Sequence, residues 1–234
     1  MVEVPIDFYA EIIASITLGV VWLGMLRAYF KDRERDKRTL ALSTGYGFFC
    51  FAIIAGFAGI LLVLMGYAPD SMPLFIERFV YVFSAFATVP FTYFVVKLFF
   101  ARGRWATYLM LVYAIVLTGV YLVIPSTVIS MAPEAPTVWN TDLLPGIALL
   151  SITWVVFIML AVKCFQTARK AKEGPLKTRF RLIGLAGVLG ILIFFINAVT
   201  VLAPPTLVPY VSASSWSTAA VAGIVSYIGW LRYK

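Results

Sequence analysis

The sequence predicts an all-α polytopic membrane protein: one bundle of seven transmembrane helices, amino terminus outside and carboxyl terminus in the cytoplasm. Three observations carry that expectation. First, 62% of the 234 residues are hydrophobic and 13% are charged, with a mean hydropathy of +0.95, whereas a soluble domain is nearer ~45–50% apolar and ~25% charged. Second, seven apolar runs are each long enough to cross a bilayer as a helix, the open-ended element that satisfies its own backbone in lipid. Third, all but one of the 19 Lys and Arg flank alternate ends of those runs, and positive charge beside short loops marks the cytoplasm.

The runs fall at about 5–30, 39–67, 74–101, 105–125, 143–165, 182–203 and 211–231, a single domain over 1–234. The first opens MVEVPIDFYAE, with acids and no base, unlike a signal peptide, so it reads as a true span with an exported start. KDRERDKR (31–38) turns the chain back on the cytoplasmic side. In the second span Ala52, Gly56 and Gly59 form a small-residue face for a neighbouring helix. APDSMP (68–73) is an outer turn, and RGR (102–104) a cytoplasmic one before the fourth span. STVISMAPEAPTVWNTD (126–142) is the long outer loop, restrained by Pro133, Pro136 and Trp139, and its length marks it as a candidate lid. The basic stretch QTARKAKEGPLKTRFR precedes the sixth span, where Gly187, Gly190 and Asn197 share a face; Asn197 is expected to be hydrogen-bonded across the bundle. PPTLVPY leads into the hydroxyl-rich VSASSWSTAAVAG of the seventh, whose Ser215, Ala219 and Gly223 again suit close packing. Hydroxyls in such a run also bond back to their own helix carbonyls.

The third span holds the candidate chemistry. Glu77, Tyr81, Ser84 and Thr88 recur at helical spacing along FIERFVYVFSAFATVPF, and Arg78, Tyr81, Ala85, Thr88 and Thr92 trace the next stripe. A polar stripe is costly against lipid and must face protein or water. Pro90 leaves the carbonyl four residues back without its donor and is the expected hinge. Arg78 is the one basic residue on the outer side, against Glu3, Asp7, Asp70, Glu77, Glu134 and Asp142. Glu11 lies roughly 9 Å into the first span, six residues past Pro5 at 1.5 Å each, sharing a face with Asp7 and Ser15. A carboxylate there needs a proton or a cation, so Arg78 is expected to bridge to Glu11 or Asp7, with Glu77 competing. The candidate ligand pocket is shallow and outward-facing, lined by Glu11, Arg78, Tyr81, Ser84, Asn197, Ser215 and Trp216.

The sequence carries no histidine, removing the usual metal ligand and proton shuttle. Cys50 and Cys164 stand in separate apolar segments, without disulfide or metal spacing, and read as packing residues. No close carboxylate pair, no nucleophile with a base and no phosphate-cradling glycine loop is present. The seventh span has no lysine for a Schiff base. The expectation is therefore a protein that is not an enzyme and has neither cofactor nor metal. One Gln and two Asn lean towards a heat-adapted source. The basic inner surface follows from topology, so nucleic acid need not be invoked; anionic lipids of the inner leaflet are its partners by charge.

The segment LFIERFVYVFSAFATVPFTYFVVKLFFARGRWATYLMLVYAIVLTGVYLVIP, with Pro90, Arg104, Trp105 and Pro125, resembles the seven-helix sensor module at the amino terminus of many membrane histidine kinases. TARKAKEGPLKTRFRLIGLAG, with Arg179 and Arg181, is similar to that family's basic approach to its sixth helix. The likeness covers about residues 10–203. It implies a sensing or receptor role, whereas here the chain ends at Lys234 without the family's signalling domain; signalling would require a separate cytoplasmic or membrane protein partner. The leading expectation is a non-enzymatic receptor or sensor-like module. A small transporter, channel or lipid-moving protein is the alternative, and an accessory subunit of a larger membrane complex a third. The small-residue faces would equally serve a second copy of the chain.

Overall fold

The computed structural model describes residues 6–68, 72–100, 103–123, 127–129, 138–140, 143–200, 203–204 and 206–232. Seven α-helices follow one another: α1 (Ile6–Lys31), α2 (Lys37–Leu64), α3 (Met72–Phe99), α4 (Arg104–Val123), α5 (Leu143–Lys170), α6 (Pro175–Thr200) and α7 (Val208–Tyr227). A π-helical segment, Ile228–Arg232, continues α7. Six of these helices are long and apolar enough to cross a membrane, and the chain is a multi-pass membrane protein. The seventh, α7, has the length, since 20 residues at 1.5 Å each span ~30 Å. The hydroxyls of its first half dilute its apolar character.

Local chemistry explains the boundaries. Asp36 caps α2, its carboxylate accepting the Arg38 amide at 2.9 Å and pairing with the Arg38 guanidinium. Pro175 opens α6, where a missing N–H costs nothing, just after Gly174 at φ +139°. Both α5 and α6 therefore run past their apolar stretches into the basic segment, which shrinks to a short turn. Between α4 and α5 the expected irregular loop contains two three-residue strands, β1 (Thr127–Ile129) and β2 (Val138–Asn140). They pair antiparallel with Thr127 opposite Asn140, Val128 opposite Trp139 and Ile129 opposite Val138. Pro133 and Pro136 lie outside the described residues.

The helices pack as a ring. α1 contacts α2, α2 contacts α3, α3 reaches both α4 and α5, α5 contacts α6, α6 contacts α7, and α7 returns to α1. α4 leans chiefly on α3, leaving Trp105, Tyr108, Val112, Ile115 and Val116 exposed. Apolar side chains all round a helix suit a lipid solvent.

Close approach between helices depends on small residues, as expected. A Cβ on Gly187 would stand 2.9 Å from the Ala161 backbone nitrogen, and one on Gly223 would lie 2.5 Å from Leu18 Cδ2. Cys50 and Cys164 are buried free thiols within this packing. At one end, where the α1–α2, α3–α4 and α5–α6 junctions meet the end of α7, the bundle is locked by polar contacts. Trp230 is fully buried; its Nε1 donates to Thr39 Oγ1 at 2.8 Å, and the Arg179 and Arg38 guanidiniums lie 3.9 Å and 5.7 Å from its ring centroid. One turn deeper, the Tyr46 hydroxyl donates to Ser226 Oγ at 2.6 Å. This is the basic end of the molecule.

Candidate functional site

The far end of the bundle holds the residues singled out on α3. Arg78 and Tyr81, three apart on one helix face, meet the last turn of α4. The Arg78 Nη1 donates to the Leu122 carbonyl at 3.2 Å, and the Tyr81 ring stacks on Tyr121 with centroids 5.0 Å apart and planes at 16°. The final carbonyls of a helix lack intrahelical donors and carry partial negative charge, so a guanidinium there is a natural cap. The expected bridge from Arg78 to Glu11 or Asp7 is therefore corrected. α2 packs between α1 and α3, and Arg78 turns to α4 instead. Among the described residues the ion pairs are Arg38–Asp36 and Lys177–Glu173, both at the basic end. The Glu77 side chain lies outside the described residues.

Tyr81 also packs into a second cluster, with Ala52, Ala55 and Val80, and the Trp216 indole joins that cluster from α7. The structure thus brings Arg78 and Tyr81 of α3 against Leu122 and Tyr121 of α4, while Trp216 of α7 packs on the Ala52, Ala55 and Val80 cluster that Tyr81 also touches. Glu11 is 4% exposed, on the α1 stripe that continues through Ala14, Leu18, Val21 and Met25. Ser215 is fully buried, and its hydroxyl donates to the Ile193 carbonyl of α6 at 3.4 Å. That makes it a helix-to-helix fastener. Ser214, Ser217 and Thr218 donate to carbonyls four residues back in α7, which satisfies them within their own helix.

Ser84 and Asn197 are half-buried on α3 and α6. No bond across the bundle joins Asn197 to another described residue, contrary to expectation; it stands three residues from the end of α6, where the aqueous interface is within reach. Pro90 lies inside α3, which runs through it without a break. Thr88 and Thr92 are buried and bond to carbonyls of α3 itself, Ala85 at 2.6 Å and Thr88 at 2.8 Å.

Sequence reasoning missed Tyr121. It is 3% exposed, and its hydroxyl has no hydrogen-bond partner among the described residues; Arg78 Nε and Trp216 Nε1 are likewise buried and without a partner there. Buried polar atoms are ordinarily satisfied, so each exception calls for an explanation. A tyrosine near the end of an apolar run looks like an interfacial anchor, which is why LTGVYLVIP gave no separate signal. Two donors beside a stacked tyrosine pair, Arg78 Nε and Tyr121 Oη, suit an acceptor-bearing, flat apolar molecule. No known family model matches this chain, and no curated protein matches it in sequence.

Proposed function

We propose that this protein is a seven-helix receptor or sensor-like membrane module that binds a small ligand at its far, acid-flanked end. In this reading α7 is the seventh span, the basic end faces the cytoplasm by its charge, and the far end faces outward. The observation that carries it is the pair of buried donors without a partner among the described residues, Arg78 Nε and Tyr121 Oη, beside the Tyr81–Tyr121 stack; Trp216 Nε1 is a third such donor, on α7. A ligand offering carbonyl or carboxyl oxygens would satisfy donors whose burial otherwise costs ~1–3 kcal/mol each. In this reading the β1–β2 ribbon, in the link between α4 and α5, is the candidate lid.

Binding acts through helix position. Trp216 contacts the ligand at one end of α7, while Ser226 and Trp230 tie its other end to α2. α3, weakened at Pro90, takes up the movement. A ligand shifts such an equilibrium only by its differential affinity for the two arrangements, and the altered basic end is what a cytoplasmic or membrane partner would read.

The test is a screen of flat, oxygen-bearing small molecules against protein in lipid nanodiscs, read by quenching of tryptophan fluorescence. Hits are expected to weaken at least tenfold in Arg78→Ala and Tyr121→Phe, to lose their quenching in Trp216→Phe, and to produce no flux in vesicles. Hits that bind both the Arg78 and Tyr121 variants unchanged would remove the site. Ligand-dependent flux would move the protein to the transporter class.

A further inference from the structure

A second feature lies at the basic half of the bundle, away from the surface just described. A trough of about 480 Å³ runs between α2 and α4 with α3 as its floor. Its α2 wall, Lys37, Leu40, Ala41, Thr44 and Phe48, follows one helical stripe, and the eleven steps from Lys37 to Phe48 span ~16 Å at 1.5 Å each. Phe86, Val89, Pro90 and Tyr93 form the floor, and Thr107 and Leu111 the α4 wall. The trough exists because α4 leans on α3 and stands off from α2. Its lining is almost wholly apolar, and the Phe48 and Phe86 rings stack 6.0 Å apart at its deep end.

The mouth has a different character. Lys37 and Tyr29 stand there, and Lys37 forms no ion pair among the described residues; the neighbouring Asp36 carboxylate is engaged by Arg38. The Lys97 ammonium lies 5.7 Å from the centroid of the Tyr93 ring that lines the trough. Trp105 and Tyr108 are exposed on the first turns of α4, an aromatic girdle of the kind that marks a membrane–water boundary. The Thr107 hydroxyl on the wall is buried without a partner among the described residues.

We propose that this trough is a binding site for one anionic phospholipid of the leaflet at the basic end: an acyl chain lies along α3 over Pro90, and the phosphate sits at the Lys37 ammonium. Three observations agree on that occupant. An apolar volume open to the hydrocarbon layer forfeits dispersion contacts unless a chain fills it, the trough is as deep as much of a monolayer, and its cationic mouth complements a phosphate. The ester oxygens sit at the depth of the first turns of α4, where Thr107 offers its hydroxyl. This site is independent of the ligand reading at the far end.

Native mass spectrometry of the delipidated full chain, offered dioleoyl phosphatidylglycerol or dioleoyl phosphatidylcholine, tests it. One phosphatidylglycerol per chain is expected to be retained in preference. Lys37→Ala should cut that preference about five-fold, from the ~1 kcal/mol that one lysine contributes near an anionic surface. Leu111→Trp fills the trough from a side chain already 38% exposed, and should lower retention of the lipid with the unfolding temperature preserved; inorganic phosphate should not compete. Equal retention of the two lipids, unchanged retention in either variant, or displacement by inorganic phosphate would overturn the site. Lys37 is exposed, so its variant remains informative if the tryptophan variant fails to fold.

Discussion

Removing one oxygen from each of two tyrosines should shift stability in opposite directions. Tyr121 is buried with its ring stacked on Tyr81 and its hydroxyl without a partner among the described residues. Tyr121→Phe keeps the stack and deletes a buried polar atom whose desolvation costs ~1–3 kcal/mol. The ligand-free protein should therefore become more stable by that amount, and for a chain of this size each kcal/mol moves the unfolding midpoint by about 2–4 °C. Tyr46 is buried too, but its hydroxyl donates to Ser226 at 2.6 Å. Tyr46→Phe deletes a made hydrogen bond, strands the Ser226 hydroxyl, and should cost about 1 kcal/mol or more. The assay is thermal unfolding in nanodiscs without ligand, with both variants measured beside the parent. A gain for Tyr121→Phe together with weaker ligand binding is the trade of stability for function that a binding site entails. A loss of 1 kcal/mol or more in Tyr121→Phe would show that the hydroxyl is satisfied within the protein, and the argument for a ligand there would fall.

Gly187→Ala should destabilise by ~1–3 kcal/mol, because the new carbon meets backbone atoms of α5 at 2.9–3.2 Å, while Gly119→Ala, with open space around it, should be neutral or stabilising; unfolding midpoints in detergent compare the two. Trp230→Ala should cost ~3–5 kcal/mol, since it empties a fully buried site, strands Thr39 and removes the ring beneath the Arg179 guanidinium; limited proteolysis should then cut first near the end of α7. Glu173 is held below its usual carboxyl range by hydrogen bonding to Lys177 and by that residue's charge. The contribution of this exposed pair is present above the ordinary carboxyl pKa of ~4.3 and disappears as pH falls through the lowered value. A carboxyl NMR titration should give a depressed midpoint that moves back in 1 M salt or in Lys177→Ala.

Composition and period made most of the architecture legible. Apolar runs bounded by KDRERDKR, RGR and QTARKAKEGPLKTRFR define helix number and placement closely, because lipid permits few alternatives to a helix. Small residues such as Gly187 and Gly223 marked helix contacts correctly, since only a missing side chain lets backbones approach that closely. The self-satisfied hydroxyls of Ser214, Ser217 and Thr218 were legible from i to i−4 chemistry alone.

Which helices are neighbours was not legible, and the site depends on that. Arg78 paired on paper with Glu11 because both were polar and near one end; the ring order places α2 between their helices, and the guanidinium found the Leu122 carbonyl. Tyr121 became a site residue only when α4 brought it against Tyr81, and Trp230 a lock only when the chain's end met Thr39, 191 residues away in sequence. The sequence by itself determined a membrane-embedded helical chain with nearly all its positive charge at one end, because hydropathy and charge are local quantities summed along a segment. The tertiary structure decided which polar atoms are satisfied, which are stranded and where a trough opens, because those properties belong to pairs of helices that share no sequence neighbourhood.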